Sequence, residues 1–174
     1  IYDMASAPTL MGVGPETAVA ATKTFTMSCM QICQSAGIEL PDLETHVFNI
    51  INQSAAIQDL ANRLMGFEHF LFLGDRQNYP IALEGALKFK EVSYVHAEGM
   101  PSSEMKHGPI ALVDHRVPSL FIITEGHAAE TLSNIQEIKS RRGFVVVLTH
   151  DSIKDKFTGL ADIVYSCADT GEQY

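Results

Sequence analysis

Between residues 43 and 64 the apolar positions Leu43, Val47, Ile50, Ile57, Leu60 and Leu64 recur at spacings of three, four and seven. That repeat lines one face of an α-helix. It predicts one or two amphipathic helices ending at Gly66. Upstream, residues 16–36, ETAVAATKTFTMSCMQICQSA, are rich in Ala, Met and Gln, and Gly37 follows; this predicts a helix with a C-terminal stop. From Phe67 the pattern changes. FEHFLFLG is a short apolar run closed by Gly74, a strand signal. Pro80 then suits the first turn of a helix running over roughly 80–95. VPSLFIIT (117–124), GFVVVLT (143–149) and ADIVYS (161–166) read as strands. AAETLSNIQEIKSR (128–141) reads as a helix, and a short helical stretch falls near 151–160. The strand runs are β-branched and do not alternate, and helical patterns separate them. Such an order implies a parallel sheet covered on both faces. Residues 67–174 are therefore expected to form a doubly wound, flavodoxin-like α/β domain. In such folds ligands sit beyond the carboxyl ends of the strands. The loop GDRQNYP, Gly74 to Pro80, is one such edge and leads into a helix N-terminus, although it is neither a Walker loop nor GxGxxG.

Composition adds limits rather than a function. Of 174 residues 46% are apolar and 19% charged, enough for an ordinary core. The net charge of −9 argues against a nucleic-acid binder, which would need a basic patch. An anionic small ligand remains compatible, because a local site can be positive in an acidic protein. Cys29, Cys33 and Cys167 form no CxxC pair and are expected to be buried, reduced thiols. No segment reaches the ~18–20 apolar residues of a membrane span, and no signal peptide opens the chain. A cytoplasmic protein is the plain expectation. Both ends read as cut from a longer chain.

The chemistry gathers in GALKFKEVSYVHAEGMPSSEMKHGPIALV, Gly85 to Val113, which sets Lys, Glu and His among apolar residues. On a helix Glu84, Lys88 and Glu91 fall within about a 60° arc, with Lys90 on another side. A solvated face with ion pairs explains the spacing. A carboxylate and an ammonium held together for proton transfer explains it too. His96 and Glu98 would share one face of a strand, as a hydrogen-bonded pair or as two metal ligands without an evident third. Ser102 is a plausible N-cap with Glu104 in the first turn, and Gly108-Pro109 breaks the chain directly after His107.

ALEGALKFKEVSYVHAEGMPSSEMKHGPIALVD strongly resembles the isomerase half of the glutamine–fructose-6-phosphate amidotransferases, the glucosamine-6-phosphate synthases, which consists of two sugar-isomerase (SIS) domains. GPETAVAATKTFT, Gly14 to Thr26, resembles the end of the first of these domains. The resemblance implies that residues 1–36 are the tail of a first SIS domain, 37–66 connecting helices, and 67–174 most of a second. It implies that Glu91 moves a proton between C1 and C2 of the sugar and that Lys88, one turn earlier, assists. It implies that His107 helps open the sugar ring, reaching the site of the partner subunit in a homodimer. Val19 and Ala21 would lie on the segment lining the sugar, and many family members carry Ser where Ala21 stands. Fructose 6-phosphate and glucosamine 6-phosphate are the implied ligands, with glutamine used by a separate glutaminase domain. No metal or organic cofactor, nucleic acid or membrane is implied.

The departures are equally specific. The Ser/Thr-rich phosphate loops of the first SIS domain, the glutaminase domain with its Cys nucleophile and the C-terminal tail with its Lys are not found in this sequence. GDRQNYP lacks a second Gly that many members carry. The isolated chain is thus expected to hold part of an active site and to be inactive alone. Two alternatives stand beside the synthase. One is an SIS-family glucosamine-6-phosphate deaminase, to which GVGPETAVAATK is close. The other is a sugar-phosphate-sensing SIS module without turnover, against which the joint presence of Lys88, Glu91 and His107 speaks.

Overall fold

The computed structural model describes residues 12–169. The chain divides into two compact units, Ile1–Leu43 and Glu44–Tyr174.

In the first unit, helix α1 spans Lys23–Ser35, a later start than the pattern at 16–36 suggests. The reason is Glu16. Its carboxylate accepts hydrogen bonds from the backbone N–H of Thr22 (3.3 Å) and Thr24 (3.1 Å) and from the Thr24 hydroxyl (2.6 Å). An acceptor that reaches back from a bend supplies the donors at a helix start with partners, so residues 17–22 turn rather than wind. Gly37, at φ 71°, stops the helix as expected, and Ile38 N–H closes the end on the Cys33 carbonyl at 2.9 Å. Cys29 is exposed, whereas Cys33 and, in the second unit, Cys167 are half-buried; all three are free. The expectation that all three thiols are buried thus fails, most clearly at Cys29: it shares with Cys33 a helix that has no buried residue, and Cys167 lies on the half-exposed edge strand of the second unit.

The second unit opens with two helices, α2 (Leu43–Asn52) and α3 (Ser54–Leu64). Then follow β1 (His69–Gly74), α4 (Asn78–Ser93), β2 (His96–Met100), β3 (Ser119–Ile122), α5 (Ala128–Ser140), β4 (Val145–His150) and β5 (Ile163–Cys167). Between β2 and β3 run two 3₁₀ turns, Glu104–His107 and Pro109–Leu112. All neighbouring strands are parallel, in the order β2-β1-β3-β4-β5. The strand order reverses between β1 and β3, the point at which such sheets open a crevice at their carboxyl edge.

Alternation along the strands divides the core in two. Phe70, Phe72, Ala97, Leu120 and Val146 face Ala82 and Ala86 of α4 and Leu64 of α3. Leu71, Leu73, Met100, Phe121, Val145 and Val147 face Ile135 and Ile138 of α5, together with Met105 of the first 3₁₀ turn. β1 is buried at every position after His69, as expected of a strand covered on both faces. β5 is half-exposed throughout, because it is an edge strand and no helix follows it among the described residues. Gly99 sets the closeness of α4 to β2: a Cβ there would lie 2.8 Å from the Leu83 Cα and 2.9 Å from the Ala82 carbonyl oxygen.

Candidate functional site

Helix α4 carries the ionisable ladder. Lys88 Nζ lies 2.5 Å from Glu91 Oε2 and 3.6 Å from Glu84 Oε1, with the Lys88 and Glu91 side chains 23% and 24% exposed. One helix face makes this inevitable, since positions three and four apart are neighbours. The Lys88 ammonium sits above its ordinary pKa, chiefly because of the hydrogen bond to Glu91, with the nearby charges adding to it. Lys88 also lines an apolar groove of about 550 Å³ with Phe67, Phe70, Phe72 and Phe89. The pair is therefore reachable from solvent yet bordered by aromatic wall. A carboxylate and an ammonium so placed can pass a proton to and from a bound molecule.

His107 is exposed at the end of the Glu104–His107 turn. That turn is anchored by Met105 in the core on the α5 side of the sheet, whereas Lys88 and Glu91 belong to the helix on the other side. Within one chain the sheet separates His107 from Glu91. Val19 and Ala21 lie in the first unit, in the bends before α1; Val19 is 82% exposed and Ala21 half-buried, beside the buried Ala20. His96 and Glu98 are on β2 as expected. The His96 ring meets His69 edge-on, at 5.4 Å between centroids. No group of three or more metal-binding side chains occurs among the described residues.

A second polar cluster escaped the sequence reading. Ser102 is not an N-cap: it is fully buried. Its hydroxyl donates to Asp75 Oδ2 and accepts from Asn134 Nδ2 at 2.8 Å. Ser103 N–H donates to Asp75 Oδ1 at 3.2 Å. The Ser hydroxyl is drawn inward because Asp75, at the carboxyl end of β1, needs donors that its own loop does not supply. Nearby, Asn78 Nδ2 donates to Thr124 Oγ1 at 3.1 Å, tying the start of α4 to the end of β3. One signal was available: Asn134 interrupts the interior of a helix, where Asn is disfavoured unless its amide is used elsewhere.

A doubly wound parallel sheet with a polar crevice at its carboxyl edge defines a class of small-ligand-binding α/β proteins. Within that class the chain belongs to the SIS domain family, whose model matches residues 64–157. It is 39% identical over 170 residues to a glutamine–fructose-6-phosphate aminotransferase (isomerizing) of Chlorobaculum tepidum; the match takes in 87% of this chain and 28% of the relative's length. The chain therefore spans little more than a quarter of that relative. Among solved structures it matches the C-terminal domain of glucosamine-fructose-6-phosphate aminotransferase from Francisella tularensis. There the TM-score is 0.79 and the identity 33%, over 89% of this chain and 49% of that one. It also matches a glucosamine-6-phosphate deaminase from Thermotoga maritima, with TM-score 0.60 and 26% identity, over 78% of this chain and 44% of the other.

Proposed function

We propose that this chain is part of the isomerase half of a cytoplasmic glutamine–fructose-6-phosphate aminotransferase (isomerizing). Residues 1–36 would end a first SIS domain, 37–66 would connect, and 67–174 would form most of a second. The full protein would convert fructose 6-phosphate to glucosamine 6-phosphate, with ammonia from glutamine delivered by a separate glutaminase domain. The observation that carries the reading is the Lys88–Glu91 contact at 2.5 Å beside an apolar groove, in a chain so similar to enzymes of that name.

Turning a 2-ketose into a 2-amino aldose requires ring opening, an imine with ammonia, and a proton shift from C1 to C2. Glu91 is the base for the C1 proton, which the adjacent imine makes acidic. Lys88 holds the Glu91 carboxylate by a charge-assisted hydrogen bond and assists the transfer. His107 exchanges a proton during ring opening, a role suited to imidazole near neutral pH. Val19 and Ala21 line the sugar. Since the sheet separates His107 from Glu91 within one chain, His107 acts in the partner's site of a homodimer. The chemistry needs no metal or organic cofactor.

The test is complementation in the full-length protein. Mixing a His107→Ala subunit with a Glu91→Gln subunit restores about one working site per heterodimer, if each site draws one residue from each chain. Heterodimers that form yet show no activity above either parent overturn the shared site. A deaminase is the second reading, favoured by the likeness to the Thermotoga maritima structure. It is distinguished by release of ammonia from glucosamine 6-phosphate without dependence on glutamine.

A further inference from the structure

We propose that the cavity at the amino ends of β1 and β2 is a transition-metal site, in which His69 and His96 hold one divalent ion of the zinc or nickel kind. The cavity measures about 720 Å³ and has Phe67, Leu71, Leu112 and Val117 in its wall beside the two histidines. It lies at the opposite end of the strands from the carboxyl-edge crevice. It is also on the opposite face of the sheet from α4, the helix that carries Lys88 and Glu91.

The topology explains the cavity. Alternation along β1 and β2 puts His69, Leu71, His96 and Glu98 on the side of the sheet away from α4. Parallel sheets ordinarily cover such a side with crossover helices. Here the connection from β2 to β3 is two 3₁₀ turns instead. The first is held at the far end of β2, where Met105 joins Met100 and Leu73 in the core. The amino ends of β1 and β2 are left with no helix over them.

The spacing of the two rings names the ligand. His69 and His96 are direct partners in the parallel register, and their ring centroids are 5.4 Å apart. A metal–nitrogen bond of about 2.0–2.1 Å puts an ion about 3.2 Å from each ring centre, so two imidazoles at a tetrahedral angle have centres about 5.2 Å apart. The observed spacing is close to that value. Both residues are exposed, and among the described residues neither ring has a hydrogen bond or an ion pair that would hold its nitrogens elsewhere.

The surrounding charge favours a cation. Glu68 and Glu98 border the cavity and stand in no ion pair among the described residues. Arg116, also on its border, is committed to Asp114 at 2.6 Å. Imidazole selects zinc, nickel or copper, whereas magnesium and calcium prefer oxygen ligands. No group of three metal-binding side chains occurs among the described residues. The ion therefore takes two ligands from the chain and keeps its other positions open to water or to a small molecule entering the cavity, unlike a closed structural zinc centre. His96 stands three residues after Ser93, the last residue of α4. An ion on the pair thus ties the edge strand β2 to β1 just beyond the end of that helix. The inference stands whether or not Glu91 is a catalytic base.

The test is a titration with nickel chloride, read by paramagnetic broadening of amide NMR signals and by calorimetry. The chain carries Cys29→Ser and Cys33→Ser, so that the exposed Cys29 and the thiol one turn on do not compete for the ion. Nickel below one equivalent is expected to broaden residues 68–71 and 95–98 before any others. Magnesium chloride is expected to leave these residues unchanged. His69→Phe and His96→Phe each keep an aromatic ring for the edge contact and remove the nitrogen donors. Each is expected to weaken nickel binding about tenfold or more, since losing a ligand costs at least as much as losing the partner that orients one. Broadening that begins elsewhere overturns the site. So does a nickel affinity that either variant leaves within about twofold of the parent chain. Magnesium binding as tightly as nickel marks a carboxylate site and overturns the histidine pair. Complementation, which tests the shared catalytic site, involves neither His69 nor His96, so the failure of one proposal leaves the other standing.

Discussion

The second unit holds two polar clusters built in opposite ways. Glu84, Lys88 and Glu91 belong to one helix, are partly open to water, and find each other through helical spacing alone. Asp75, Ser102 and Asn134 come from the end of β1, the segment after β2 and the middle of α5, and meet in the interior. The first cluster would form in any helix with that sequence. The second exists only once the sheet is assembled. The contrast separates chemistry from support: the partly open ladder can lose a group with little effect on folding, whereas the network around the buried Ser102 and Asn134 cannot.

The largest effect that would sharpen this contrast falls on Glu91. Glu91→Gln keeps the shape and removes the basicity, so isomerase activity of the full-length protein should fall on the order of 10²–10⁴-fold. Folding stability should stay within about 0.5 kcal/mol, as for surface changes. Activity within a few-fold of the parent protein would remove Glu91 as base. The reverse profile is expected of Asn134→Ala. Truncating a buried amide leaves the Ser102 hydroxyl short of a donor and should cost about 1–3 kcal/mol, read as a lower urea midpoint at unchanged slope. An Asn134→Ala chain as stable as the parent would mean that water replaces the amide and that the cluster is less closed than its burial indicates.

Gly99→Ala tests whether the platform under α4 tolerates adjustment. A methyl 2.8 Å from the Leu83 Cα forces helix and strand apart, at about 1–3 kcal/mol, and should displace the Lys88–Glu91 face along with the helix. The smallest effect concerns pH. Lys88 is held above its ordinary value of 10.5 by Glu91. A raised lysine pKa gives stability that is complete below the unfolded value and is lost as pH rises through the folded one. The stability difference between the parent chain and Lys88→Met should therefore be flat from neutral pH to the ordinary lysine range and shrink above it. A difference that already changes near neutrality would point to another titrating group.

The α/β class and the strands β1, β3, β4 and β5 were legible in the sequence, because continuous apolar runs separated by helical repeats leave few alternatives; β2, HAEGM, is no such run and showed only as the His96–Glu98 pairing on one strand face. The start of α1 was not. Nothing local in ETAVAATK distinguishes a helical turn from a bend, and the outcome depends on the Glu16 carboxylate folding back on Thr22 and Thr24. Ser102 was misread for a related reason: Ser before Glu104 is an N-cap pattern, and only the half-buried Asp75, distant in sequence, draws the hydroxyl away.

By itself the sequence determined the periodic elements and the alignment of Glu84, Lys88 and Glu91, since both depend on interactions within a few residues of one another. It also carried the likeness to the amidotransferase isomerase half, a property of residue order. Tertiary structure alone decided the strand order β2-β1-β3-β4-β5, the separation of His107 from Glu91 by the sheet, and the joining of Asp75 to Ser102 and Asn134 across 27 and 32 intervening steps of chain. Those features depend on which distant apolar faces bury one another. Local spacing holds no record of that choice, because burial is non-directional and is settled only when the whole sheet closes.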